Sequence, residues 1–146
     1  MATETIKIAL GLSGTYWRRQ PEFVVRLNGE EKYTSLVEAA SGEVFTVDFD
    51  VEIEEDEEHT LSISLVNKMD SDTVENEDKT AIVKDMLLNI ESLAIDEIDV
   101  GTLIWSNSVY YMDDGERMAE CVNLGKNGTW EFKFTSPYYI WLLENM

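Results

Sequence analysis

Residues 47–54 read Val-Asp-Phe-Asp-Val-Glu-Ile-Glu, so the odd positions are apolar and the even positions are acidic. This alternation has the two-residue period of a β-strand that places one face on a core and the other in water. Further segments alternate or are apolar in the same way: residues 5–10, 23–27, 60–66, 86–90, 93–100, 103–111 and 129–134. Polar turns separate these segments, and they predict an all-β chain of about eight to ten strands.

Turn and helix signals complete the predicted fold. Asn28-Gly29 directly follows residues 23–27 and is a typical two-residue turn of a β-hairpin. Residues 35–40 are the best candidate for a helix, because no segment has an apolar stripe at helical spacing over several turns. We therefore predict one domain over residues 1–146, an antiparallel β-sandwich, most simply a jelly roll, with at most one short helix.

The charge of the chain restricts its partners. Its 146 residues include 11 Lys and Arg against 30 Asp and Glu, which gives a formal net charge of −19. Because phosphate binding needs a basic surface, we expect neither nucleic acid nor an anionic membrane as a partner. Three explanations of the acidity stay open: solubility or adaptation to salt, calcium binding by clustered carboxylates, and docking to a basic partner.

Few residues of the sequence suit catalysis. His59 is the one histidine and Cys121 the one cysteine, which excludes an internal disulfide and zinc sites built from several thiolates. There is no Gly-x-Ser-x-Gly elbow and no phosphate-binding Gly-rich loop, so we expect a protein that is not an enzyme. The first residues lack the pattern of a signal peptide, and we expect synthesis in the cytoplasm without secretion.

A long acidic loop is the candidate metal site. Residues 67–85 are rich in the carboxylate and amide oxygens that calcium prefers, among them Asn67, Asp70, Asp72 and Asp85. Asp70 and Asp72 have the spacing of many calcium loops, but the glycine and the closing Glu of an EF-hand are missing. Loops of this length in compact domains are often functional. The alternative is a mobile acidic loop that binds no metal.

Aromatic residues offer a second kind of binding surface. Trp17 lies beside Arg18 and Arg19 in a polar segment that is typical of a loop. An exposed aromatic ring among polar side chains can stack on a sugar or anchor a protein partner, and we expect a glycan or partner contact at these three residues. Trp105 and Trp130 lie in predicted strands, where core packing is their expected role.

The C-terminal segment, residues 136–146, is unusually apolar for a chain end. Tyr138, Tyr139 and Trp141 are its largest aromatic side chains. Two interpretations stay open: the segment is the last strand of its own sheet, or it docks to a partner protein through these three residues.

Three segments resemble calcium-dependent carbohydrate-binding modules of the xylan-binding β-sandwich type: residues 21–29, 59–67 and 85–101. The resemblance covers roughly residues 5–101 and is one of strand and turn pattern. It implies a β-sandwich, glycan binding and calcium as a cofactor. It also implies calcium ligands at Asn67 and Asp85, with Asp70 and Asp72 nearby.

The sequence departs from that family at the expected calcium ligands. Where the family tends to have Asn-Asp at the end of a strand, this chain has Asn67-Lys68, and the family's Asp-Arg segment reads Asp85-Met86 here. Lys68 would put a cation where a calcium ligand belongs. The resemblance therefore supports the predicted fold more strongly than it supports calcium binding.

A second resemblance is to small structural proteins of tailed bacteriophage virions, particularly those of marine phages. Residues 94–101 and 139–143 look similar to such proteins, which reuse carbohydrate-binding-like jelly rolls as decoration, fibre or tail-attached modules. This resemblance implies a multi-copy chain located in the virion, with other virion proteins as partners. Two functions follow as hypotheses: a non-enzymatic virion structural protein, or a calcium-dependent, lectin-like module that binds cell-surface polysaccharide.

Overall fold

The structure is a computed structural model that describes residues 2–145. In chain order its strands are β1 (Thr3–Thr15), β2 (Glu22–Leu27), β3 (Glu30–Leu36), β4 (Val44–Glu54), β5 (Glu58–Leu65), β6 (Val74–Glu75), β7 (Ile82–Lys84), β8 (Leu87–Ile95), β9 (Ile98–Asp99), β10 (Ser108–Met112), β11 (Arg117–Ala119), β12 (Asn123–Leu124) and β13 (Gly128–Thr135). The helices within these residues are a 3-10 turn at Asp70–Asp72, α1 (Leu103–Ser106) and α2 (Tyr138–Asn145).

The strands form two antiparallel sheets with one hydrophobic core. The first sheet has the order β12-β8-β1-β4, with β9 paired to β8. The second sheet has the order β11-β10-β13-β5-β2-β3, and β6 and β7 form a separate hairpin. This arrangement confirms the predicted all-β sandwich.

Strand β4 confirms the alternation predicted for residues 47–54. Val47, Val51 and Ile53 are buried, and the acidic residues at the even positions are exposed. β4 pairs with β1 along most of its length, from Val44 opposite Ser13 to Glu54 opposite Thr3. The core that this pairing covers is built from large apolar side chains of both sheets: Ile6, Ile8, Leu10 and Leu12 of β1, Leu61, Ile63 and Leu65 of β5, and Trp130, Phe132 and Phe134 of β13.

The Asn28-Gly29 turn joins β2 to β3 as predicted. Both residues have positive φ angles, 51° at Asn28 and 85° at Gly29, as a tight hairpin turn requires. The Asn28 side chain also donates a hydrogen bond from Nδ2 to Nδ1 of His59 at 2.9 Å, and the other ring nitrogen of His59 lies 2.8 Å from the carbonyl oxygen of Glu54. His59 is therefore a buried structural histidine that ties this turn to β5.

Two local predictions need correction. The helix predicted at residues 35–40 is wrong, because Ser35 and Leu36 end β3 and pair with β2. The strand predicted at residues 103–111 is interrupted by α1, which leaves Trp105 exposed instead of in the core. Trp130 is buried as predicted. Among the described residues, no helix has both the length and the hydropathy to cross a membrane.

Within the C-terminal segment, Tyr138–Asn145 form the helix α2, so the interpretation of the segment as a last strand is wrong. Tyr138, Trp141 and Leu142 are buried, and their spacing of three and four residues is that of a helix face. The Trp141 ring lies edge-on to Phe132 of β13, with ring centroids 5.6 Å apart. Two of the three aromatic residues of the segment, Tyr138 and Trp141, therefore cover the core from a helix.

Candidate functional site

Two candidate segments that are distant in sequence meet in the fold. The Arg18 side chain donates a hydrogen bond from Nη1 to the hydroxyl of Ser71 at 2.6 Å. The indole N–H of Trp17 donates to the carbonyl oxygen of Asp72 at 2.9 Å, and Arg19 Nη2 donates to a carboxylate oxygen of the same residue at 2.7 Å. Residues 17–19 therefore hold the first part of the acidic loop in place.

Asp72 is the centre of this contact. Its side chain is fully buried, and its carboxylate accepts hydrogen bonds from Arg19 and from the backbone N–H of Met69, while Arg18 Nε lies 3.6 Å away. Burial by itself raises the pKa of Asp72, but the hydrogen bonds from Arg19 and Met69 and the positive charges of both arginines outweigh it and hold the pKa below its usual value. Asp72 is thus an ionised group neutralised by side chains of its own chain.

Asp85, at the other end of the loop, is neutralised in a similar way. The Lys68 ammonium donates to Asp85 Oδ1 at 2.7 Å, and the Thr73 hydroxyl and the Met86 backbone N–H donate to the same oxygen at 2.7 and 2.8 Å. Partial burial raises the pKa of Asp85, but these three hydrogen bonds and the Lys68 charge outweigh it and lower the pKa.

An open cleft lies between this loop and two neighbouring turns. It has a volume of about 620 Å³. Lys68 and Asp85 form part of its wall, together with the half-buried Thr73 and Asn127. Exposed polar and apolar side chains complete the lining: Met69, Asp70, Glu75, Ile82, Asp113, Asp114 and Lys126. Such a mixture of free carboxylates, an amide and apolar groups is suited to a hydroxyl-rich ligand.

The four predicted calcium ligands do not form a donor set that fits calcium. The ion takes six to eight oxygen ligands, and carboxylates must be free to bind it. Asp72 and Asp85 are already bound by cationic side chains. The Asn67 side chain accepts from the Glu22 backbone and donates to a carbonyl, while Asp70 is exposed. Within residues 2–145 no three His, Cys, Asp or Glu side chains cluster as a metal site would require.

Trp17 is exposed as expected, but two cationic side chains lie over its ring. The Lys84 ammonium lies 4.8 Å from the ring centroid, and the Arg18 guanidinium lies 5.9 Å from it. These are cation–π distances. Together with the indole hydrogen bond to the loop, they make Trp17 an anchor of the loop.

Helix α2 buries two of the three predicted docking residues and exposes the third. Tyr138 and Trp141 are buried against the chain's own core, where they are not available to a partner. Tyr139 is exposed, and Ile140 and Leu143 are exposed beside it. A docking role therefore stays a prediction for Tyr139 with these two neighbours.

Sequence reasoning missed the part of the cleft that comes from the second half of the chain. Asp113 and Asp114 precede the turn glycine Gly115, and Asn127 directly precedes β13. The Asn127 side chain makes two hydrogen bonds to the backbone of Lys68, at 2.8 and 2.9 Å. Polar residues at turns were the available signal, but nothing local in the sequence brings these turns to the loop.

Comparison with known proteins supports the fold. No protein-family model matches the sequence, and no curated protein matches it. Solved structures of vCBM60 are similar in fold. One, described as in complex with galactobiose, is 11% identical with a TM-score of 0.51, over 86% of this chain and 96% of that one.

A second vCBM60 structure, a selenomethionine form, is also 11% identical, with a TM-score of 0.52 over 87% of this chain and 89% of that one. Its description concerns two families of calcium-dependent carbohydrate-binding modules linked by circular permutation. At this level of identity the similarity concerns the fold. The chain therefore has a β-sandwich fold like that of a carbohydrate-binding module, as its sequence resemblance predicts.

Proposed function

We propose that the chain is a non-catalytic carbohydrate-binding module and that the cleft beside the acidic loop is its binding site. The observation that carries the proposal is the set of exposed carboxylates, Asp70 and Asp113, placed beside Met69 and Ile82 in one open cleft. Carboxylates accept hydrogen bonds from sugar hydroxyls, and exposed apolar groups contact the C–H faces of sugar rings. The fold shared with vCBM60 supports the same assignment.

The negative charge of the cleft favours one class of glycan as the ligand. Lys126 is paired with Asp114 and Glu116 at 3.1 and 3.0 Å, and Lys68 is paired with Asp85. The remaining carboxylates leave the cleft negative, so uronate or sulfate groups would be repelled. We therefore propose a neutral, hydroxyl-rich oligosaccharide as the ligand. The proposal includes no calcium ion, because the loop residues do not fit one.

Binding of the purified protein to an array of neutral and acidic glycans tests this function. We expect binding confined to neutral sugars, and we expect Asp70→Asn and Asp113→Asn each to raise the Kd by about tenfold, since a charged hydrogen-bond acceptor is replaced by a neutral amide. Glu52→Gln is the matched control, because Glu52 is an exposed acid on β4 outside the cleft. A blank array, or two cleft variants that bind like the control, would contradict the proposal.

A second candidate function is a virion structural protein that acts in many copies as a decoration, fibre or tail-attached module. The observation that favours it is the apolar surface of α2, where Tyr139, Ile140 and Leu143 are 60%, 44% and 74% exposed. Adjacent exposed apolar residues of this kind mark interaction surfaces. Such a chain would be located in the virion and would have other virion proteins as partners.

The molar mass of the purified chain, measured by light scattering, tests this second function. We expect self-association that is lost in the double variant Tyr139→Ser, Leu143→Ser, because this variant removes most of the exposed apolar surface of α2. Both side chains are exposed, so their replacement leaves the core intact. Thr135→Ser is a control within the neighbouring strand. A monomer at all concentrations would count against a multi-copy module assembled through α2.

A further inference from the structure

The Lys68 ammonium lies where three separate segments of the chain converge. It donates hydrogen bonds to the carboxylate of Asp85 and to the backbone carbonyl of Gly125. The Lys68 side chain is only 10% exposed and that of Asp85 only 20%. The contact therefore joins the start of the acidic loop, the end of that loop and the turn before β13.

The position of this ammonium is set by the backbone as well as by its own contacts. The backbone N–H of Lys68 donates to the side-chain oxygen of Asn127, and the side-chain N–H of Asn127 donates to the Lys68 carbonyl. This two-way contact fixes the residue from which the side chain extends. Less conformational entropy is then lost when the ammonium is held in one place.

The contacts of Asp85 favour an ammonium over a metal ion. The Thr73 hydroxyl and the Met86 backbone N–H direct their hydrogens at the same carboxylate oxygen that Lys68 binds. A calcium ion on that oxygen would meet two positive hydrogen atoms, whereas calcium needs oxygen lone pairs around it. An ammonium adds a further donor to the same acceptor and fits this arrangement.

We propose that Lys68 is a built-in cation that orders the cleft, so that the loop and its binding surface form without calcium. The cleft shares its wall with this contact, because Lys68, Asp85, Gly125 and Asn127 all line it. The inference rests on the proposed function only for the use of the cleft. The ordering of the loop by Lys68 is a property of the protein alone, and it is measured without any glycan.

Lys126 provides an internal control of the same chemistry. It also lines the cleft and pairs with Asp114, but Lys126 is 52% and Asp114 is 47% exposed. Exposed ion pairs contribute little to stability because water competes with them and salt screens them. Comparison of the two lysines therefore distinguishes a structural cation, Lys68, from a solvated surface charge, Lys126, in the same cleft.

Two double-mutant cycles, measured by urea unfolding in a chelator, test the proposal. The first combines Lys68→Met with Asp85→Asn, and the second combines Lys126→Met with Asp114→Asn. We expect the unfolding equilibrium constant to show coupling of roughly tenfold between Lys68 and Asp85, and coupling within about twofold for the exposed pair. Methionine keeps much of the lysine stem, so the first cycle reports the charge and its hydrogen bonds.

A calcium titration completes the test and does not require any variant to fold. We expect the unfolding temperature of the unchanged protein to be the same in calcium and in chelator. The proposal is overturned if calcium raises that temperature, or if the two cycles give equal coupling. A blank glycan array with strong Lys68–Asp85 coupling would remove the proposed function and leave this inference standing.

Discussion

The paired strands β5 and β13 lead to two regions of opposite construction. At one end, where Thr135 pairs with Glu58, the chain continues into α2, which is fastened by aromatic packing. At the other end, where Gly128 pairs with Leu65, the chain continues from β5 into the acidic loop, which is fastened by ion pairs. One core therefore carries an apolar cover at one end and a charged structure at the other.

The difference between the two regions follows from what each must expose. α2 can bury Tyr138 and Trp141 because its task within the chain is to cover the core. A loop that presents a polar cleft has few apolar side chains to bury, so buried and half-buried ion pairs fix its shape instead. Apolar packing is indifferent to pH, whereas ion pairs depend on the protonation of their carboxylates. The two ends should therefore respond differently to mutation and to acid.

Truncation of Trp141 in α2 should have the largest effect on the unfolding free energy. Trp141 contacts Phe132, Phe134 and Tyr138, and Trp141→Ala removes a buried aromatic side chain, which costs about 3–5 kcal/mol of unfolding free energy. Urea denaturation measures this loss. Tyr139→Ala on the same helix is the control, and its effect should stay within about 0.5 kcal/mol because the side chain is exposed. Equal losses in the two variants would show that α2 does not cover the core.

The fold was predictable where one face of a strand meets the core. β4 has strict alternation over residues 47–54, and a strand in this position has no other way to bury Val47, Val51 and Ile53. The hairpin at Asn28-Gly29 was predictable for a different reason, since few residue pairs adopt two consecutive positive φ angles. Both signals are local, and both are confirmed.

The C-terminal helix was missed although its signal was present. Tyr138, Trp141 and Leu142 have helical spacing, but the helix has only eight residues and its aromatic composition favours a strand. Short apolar segments are ambiguous between the two structures, and packing on β13 decides the outcome.

The candidate site was missed for a non-local reason. Arg19 and Asp72 are 53 residues apart in sequence, and Lys68 and Gly125 are 57 residues apart. Composition identified the acidic loop and the Trp17 segment separately. Their contact, and the neutralisation of Asp72 by Arg19, depend on the sheet topology that brings the segments together.

Acid should destabilise the ion-paired loop and not the aromatic packing of α2, and we expect this effect on the unfolding free energy to be smaller than that of Trp141→Ala. The pKa values of Asp72 and Asp85 are lowered from an ordinary value of 3.8, because hydrogen bonds and neighbouring cations outweigh burial. A lowered folded-state pKa contributes stability that is fully present above the unfolded-state pKa and is lost as the pH falls through the folded-state value. The ion-paired loop should therefore lose stability below about pH 4, where the unfolded chain binds protons first.

The double variant Asp72→Asn, Asp85→Asn isolates this contribution, because every other carboxylate titrates alike in both proteins. The unfolding free energy, measured in urea from neutral pH down to about pH 3, should differ most between the unchanged protein and the double variant at neutral pH. The difference should shrink as the pH falls through the lowered pKa values. Trp141→Ala should instead run parallel to the unchanged protein at every pH, since aromatic packing binds no proton. A double variant that also ran parallel would mean that the charges of Asp72 and Asp85 do not fasten the loop, and the contrast between the two ends would then rest on composition alone.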